Sequence, residues 1–61
     1  MLRRIVPLLD ADDLFVRGAA ATALGGLGQA STVSALQARR KIEAESRVVN
    51  LIDAALAILT R

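Results

Sequence analysis

Residues 16–28 read VRGAAATALGGLG. The run contains all four glycines of the 61-residue chain, and its one charge is Arg17. Gly and Ala leave little side chain to hold two helix backbones apart. Each Gly inside a helix costs ~1 kcal/mol relative to Ala, so Gly25 and Gly26 together are unfavourable unless a neighbouring element packs there. The stretch therefore reads as an inner helix of a stack, running from about Leu14 to Leu27. Val16, Ala20, Ala23, Leu24 and Leu27 fall at the spacing of an inward apolar stripe. Gly28 is placed to stop the helix in the left-handed region. Asp12 or Asp13 is placed to accept from the free amides at its start, where a negative charge also suits the dipole.

Working outward, LRRIVPLL (2–9) reads as a preceding helix, with Pro7 late in it removing a backbone donor. DADD (10–13) connects the two. QAST (29–32) turns the chain, with Ser31 or Thr32 as the next cap, and VSALQARRKIEA (33–44) is a polar third helix. EAES (43–46) holds the next break with Ser46 in place to cap, and RVVNLIDAALAILT (47–60) is the fourth helix. Period-two alternation is absent, so the predicted class is all-α with about four helices in a single domain, residues 1–61.

A chain this short buries only about 60% of its unfolded surface and is marginal on its own. It has no Cys and no His, which removes disulfides and Cys/His zinc sites as supports. Helix packing or association with other protein is left. Hydrophobic residues make up 54% of the chain but aromatics only 2%, Phe15 alone, a composition suited to close helix packing and not to a ligand cage. A net charge of +2 does not by itself imply a nucleic-acid or membrane partner. The apolar stretch after Arg3 and Arg4 breaks at Asp10, unlike a secretory signal. The longest apolar region, 48–59, is interrupted by Asn50 and Asp53 and is shorter than the ~20 residues of a spanning helix. A soluble, cytoplasmic protein is the expectation.

The chain also repeats itself. Ala23-Leu24-x-x-Leu27 recurs as Ala55-Leu56-x-x-Leu59, 32 residues on, and at the same spacing Val16 meets Val48 and Ala20 meets Ile52. Two helix-turn-helix units with a period near 30 are the mark of a helical solenoid. Within unit one (about 2–28) the order Leu8, Leu9, Asp10, Asp12, Asp13, Val16, Arg17, then Ala19, Ala20, Ala21, Ala23, Leu24, Gly25, Leu27 and Gly28 resembles a HEAT repeat of the short, phycobilin-lyase type. Unit two (about 32–60) departs from that pattern: its turn needs one extra residue, Val49 stands where the Arg belongs, and Arg40 stands where a Leu is usual. The resemblance implies two helical hairpins stacked as a right-handed α-solenoid fragment, acting as a scaffold or adaptor. It also implies a structural ion pair between Arg17 and an acid of the turn, Asp12 or Asp13.

No constellation supports catalysis. Asp10, Asp12 and Asp13 lack the further ligands, Gly turn and terminal Glu of a calcium loop and read as capping residues. Glu43, Glu45 and Asp53 show no convergent pairing. Ser31, Ser34 and Ser46 have no His as base, and no local signal supports a Ser-Lys arrangement with Lys41. Gly25-Gly26-x-Gly28 ends a helix, whereas a phosphate loop opens one after a strand. No cofactor or metal is expected. Arg3, Arg4, Arg39, Arg40 and Lys41 would share an outer face and form a phosphate-binding stripe in an alternative reading. The inner helices carry little positive charge, and there is no aromatic platform for bases, so a solvated outer face is the preferred reading.

The fourth helix is apolar nearly all round, as helices covered on both sides are. Val48, Ile52, Ala55, Leu56 and Leu59 should pack inward, leaving Val49, Leu51, Ala54 and Ile58 as the first candidate interaction surface. Leu2, Ile5 and Val6, at the other end, are the second. Solenoid ends normally carry a polar cap, and two units are fewer than the three or more usual for stability. The expected function is a non-catalytic protein–protein interaction module that self-associates or belongs to a larger repeat array. The remaining alternative is the repeat segment of a larger enzyme, such as a lyase or peptidase.

Overall fold

A computed structural model of the chain describes residues 2–60, with side chains over 4–60. Every regular element among them is helical, and none is a strand. The chain opens with a single turn, α1 (Leu2–Ile5), which runs directly into a 3₁₀ helix (Val6–Asp10). Then come α2 (Leu14–Leu27), a short 3₁₀ turn (Ala30–Thr32), α3 (Val33–Ile42) and α4 (Ser46–Leu59).

The expected count of four helices is corrected to three helices, α2 to α4, packed together behind a mixed α and 3₁₀ segment. Pro7 is the cause. It sits in the first turn of the 3₁₀ helix, where it has no amide to donate and its ring crowds the turn before it. The chain tightens to three residues per turn instead of continuing as α-helix. Leu9, from this segment, still reaches the core.

The bounds of α2 are those expected, and so are its ends. Asp13 Oδ1 accepts from the Phe15 amide at 2.8 Å. Gly28 takes φ 67° and donates to the Gly25 carbonyl. The face that α2 buries differs from the expected stripe. Gly18, Ala20, Ala21, Leu24 and Gly25 are buried, while Val16 is half-buried and Ala23 and Leu27 are exposed. The helix is rotated so that its smallest residues meet α4. A Cβ on Gly25 would lie 2.9 Å from Ala55 Cβ and 3.0 Å from Ala55 Cα, and one on Gly18 would lie 2.7 Å from Leu51 Cδ1. Gly25 is therefore a point of backbone contact. Gly26 has open space where its side chain would be, so its cost is not offset by packing.

The second half repeats the first more closely than the sequence suggests. Helices α2 and α4 have the same length, 14 residues, and start 32 residues apart. Each is preceded by an acid whose side chain accepts from the amide two residues on, Asp13 in one case and Glu45 in the other. Both connectors begin in extended backbone, at Ala11 and Glu43. They have equal length, 11–13 and 43–45, so the expected extra residue is not there. Glu45 rather than Ser46 caps α4, and Ser46 is its first residue. Thr32 precedes α3, but its hydroxyl donates back to the Gln29 carbonyl instead of capping. The core joins Leu9, Leu24 and Leu36 to Val48, Ile52 and Ala55. Full burial of a Leu, Ile or Val there contributes ~1.5–3 kcal/mol.

Candidate functional site

Two features stand out from the packed helices: a charged seam joining the two connectors, and an open apolar groove on α2.

The seam is centred on Glu43, whose side chain is 1% exposed. Its carboxylate accepts from Arg17 Nε at 2.8 Å and Nη2 at 3.2 Å, from Arg39 Nε at 3.2 Å and from the Glu45 amide at 3.1 Å. Arg17 Nη1 donates to the carbonyls of Ala11 (2.8 Å) and Asp12 (2.9 Å). Arg39 also reaches Asp10, at 3.2 Å. The expected pairing of Arg17 with the carboxylate of Asp12 or Asp13 is thus corrected. The turn is held through backbone carbonyls, Asp13 is occupied in capping α2, and the acidic partner is Glu43 from the other unit. Burial by itself pushes the Glu43 carboxyl up. The Glu45 amide and the guanidiniums of Arg17 and Arg39 outweigh it and hold the carboxyl below its ordinary value. With four donors on its two oxygens, this carboxylate has no capacity left for a substrate proton or a metal.

The groove lies on the side of α2 away from α4. Its volume is about 410 Å³. Ile5 and Leu8 form one wall, Phe15, Val16, Ala19 and Ala23 the other, with Ala20 also lining it. Every lining residue is apolar. Phe15 is 70% exposed and stands between this groove and a smaller one shared by Leu14, Gly18, Val48 and Leu51. The Arg47 guanidinium lies 5.8 Å from the centre of its ring.

The residues expected to form interaction surfaces are divided differently. On α4, Leu51 (40% exposed) and Ile58 (46%) are open, Ala54 is exposed and Val49 is half-buried. Leu51, Ala54 and Ile58 share one side of the helix by their spacing, and Val49 lies across it. The Leu51 tip is already seated against Gly18. At the other end Ile5 lines the groove, while Val6 faces a different depression between the 3₁₀ segment and α3, with Leu9, Ala35 and Ile42. The Leu2 side chain lies outside the described residues, as does that of Arg3. The open apolar groove thus lies on α2, and Leu51, Ala54 and Ile58 form a separate exposed apolar side of α4. The sign of the groove in the sequence is Phe15, the sole aromatic, on the same helical side as Ala19 and Ala23.

Two of the three basic residues of α3, Arg39 and Arg40, are engaged within the chain. Arg39 holds Glu43 and Asp10, and Arg40 forms a two-point pair with Asp53. Arg4 and Lys41 are exposed. Among the described residues no group of three acids could hold a metal ion, and no helix is long and apolar enough to cross a membrane. No family model, curated protein or solved structure matches the chain.

Proposed function

We propose that the chain is a non-catalytic protein–protein interaction or scaffold module. In this reading it is built as two HEAT-like helical hairpins, a right-handed α-solenoid fragment, and works by self-association or within a larger repeat array. The observation that carries this reading is the groove on α2: about 410 Å³ lined by apolar side chains alone, with Phe15 and Leu8 exposed at 70% and 43%. An apolar surface on so small a chain marks a contact site. The repetition of helix lengths, caps and connectors at 32 residues supports the two-unit description. Engagement of Arg39 and Arg40 by acids of the same chain argues against a phosphate-binding stripe.

Light scattering on chromatographed protein, over a concentration series, tests the reading. A mass that rises with concentration, with helical circular dichroism retained, is the expected result. A folded monomer at every concentration refutes it.

A further inference from the structure

We infer that the groove on α2 receives the outward face of α4 from a second copy of this chain, head to tail, in continuation of the α2–α4 packing inside the chain. The inference rests on the interaction-module reading and names its partner.

The groove is the counterpart of a surface already buried. Val48, Ile52 and Ala55 are the buried residues of α4, each at most 2% exposed, and share one core with Ala20, Ala21 and Leu24 of α2. Moved back by 32 residues, those of α4 are Val16, Ala20 and Ala23, which line the groove. What lies against them should therefore correspond to the α4-facing side of α2, Gly18 and Gly25. Moved forward by the same step, these are Asn50 and Ala57, both exposed on α4. Ala54 is exposed between them, giving a stripe of short side chains spaced to share one side of the helix.

The local pairings carry over with matched sizes. Inside the chain Gly18 makes room for Leu51; between copies Asn50 would face Ala19, so the larger residue changes sides and the gap stays filled. Gly25 against Ala55 becomes Ala57 against Ala23, still two of the smallest side chains.

The charged seam carries over too, and both sides change together. Arg17 with Glu43 becomes Val49 with Ala11, and Asp10 with Arg39 becomes Ile42 with Pro7. An ionic seam between units is replaced by an apolar one between copies. This gives a role to Ile42, which is 68% exposed at the end of α3. Asp53, which the same step matches to the buried Ala21, would enter the contact already paired with Arg40. A heterologous contact of this kind propagates as a ring or an open stack.

Ala23→Glu damages the groove and Ala57→Glu the outward face. Both positions are exposed in the single chain, so helicity should be retained and is checked by circular dichroism. Each substitution buries an unpaired charge in the contact and should weaken self-association by roughly 100-fold or more. Each variant alone is expected at monomer mass by light scattering. Their equimolar mixture is expected to form a 1:1 dimer, because one supplies an intact groove and the other an intact α4 face. If wild type associates but either variant still does so alone, or the mixture stays monomeric, the head-to-tail inference falls while the interaction module stands. A folded wild-type monomer at every concentration overturns both. As an independent readout, Ala23→Cys and Ala57→Cys are mixed and oxidised, which the absence of native Cys permits. A mixed disulfide as the main product supports the inference, and predominance of either homodisulfide overturns it.

Discussion

Glu43→Gln should be the most damaging near-isosteric change in the molecule. It keeps the shape of the side chain and removes the charge that faces two guanidiniums. Arg17 is 14% exposed and Glu43 1%, so water cannot replace the lost carboxylate. Removing one partner of a buried pair typically costs ~3–5 kcal/mol. Arg17 keeps two backbone carbonyls, so the lower end of that range, about 3 kcal/mol, is expected here. A domain of this length has a total stability of about 3–9 kcal/mol, so the loss takes between about a third and all of it. Urea denaturation followed by helical circular dichroism measures the difference at neutral pH. The same comparison at low pH checks the cause. The folded-state carboxyl of Glu43 lies below its ordinary value. Its stabilising effect is therefore fully present above the unfolded value, about 4.3, and is lost as pH falls through the folded one. The gap between wild type and Glu43→Gln should close on acidification. A gap under ~0.5 kcal/mol at neutral pH, the usual scatter for a surface change, would refute the reasoning. So would a large gap that does not narrow in acid.

The glycines of α2 divide by what lies opposite them. Gly26→Ala meets nothing within 4 Å and should stabilise by ~0.4–1 kcal/mol in thermal or urea unfolding. Gly25→Ala puts a methyl against Ala55 Cα and Cβ, and the ~1–3 kcal/mol cost of overpacking should exceed its gain in helix propensity. Gly28→Ala forces a side chain into the left-handed region at φ 67° and should lower stability by ~1–2 kcal/mol. Phe15→Ala removes a mostly exposed ring and should change the unfolding free energy by less than ~1 kcal/mol, the size of its exposed contact with Arg47. The same substitution should clearly weaken self-association by light scattering.

The ends of α2 were legible because each rests on local chemistry: an Asp that accepts from the next turn, and a Gly that tolerates the left-handed region. Its rotation was not. Apolar periodicity weighs side-chain mass, and it favoured Val16, Ala23 and Leu27 for the interior. The helix instead turns inward the residues with least side chain, because backbone approach at Gly18 and Gly25 admits Leu51 and Ala55. On α4 the same periodicity pointed to Val48, Ile52 and Ala55, which are buried, and to Leu56 and Leu59, which are half-buried. The partner of Arg17 was hidden for a different reason. Glu43 is 26 residues away, in the connector of the other unit, and only the meeting of the two connectors brings them together. Pro7 was visible as a missing donor late in the first helix, but not the five-residue 3₁₀ segment that replaces most of that helix.

The contact of Gly25 with Ala55 bears on how the chain is made. A ribosome delivers α2 long before α4, and until Ala55 has emerged the glycine face has nothing to rest on. Over the same interval Arg17 waits for a carboxylate that arrives only with residue 43. An isolated helix of 14 residues is marginal even in a favourable sequence, and this one carries three interior glycines. The nascent first half should therefore remain largely unstructured, and a chain ending after Ser46 should show little helical signal. Folding becomes a single event that waits for α4, with the two halves ordering each other.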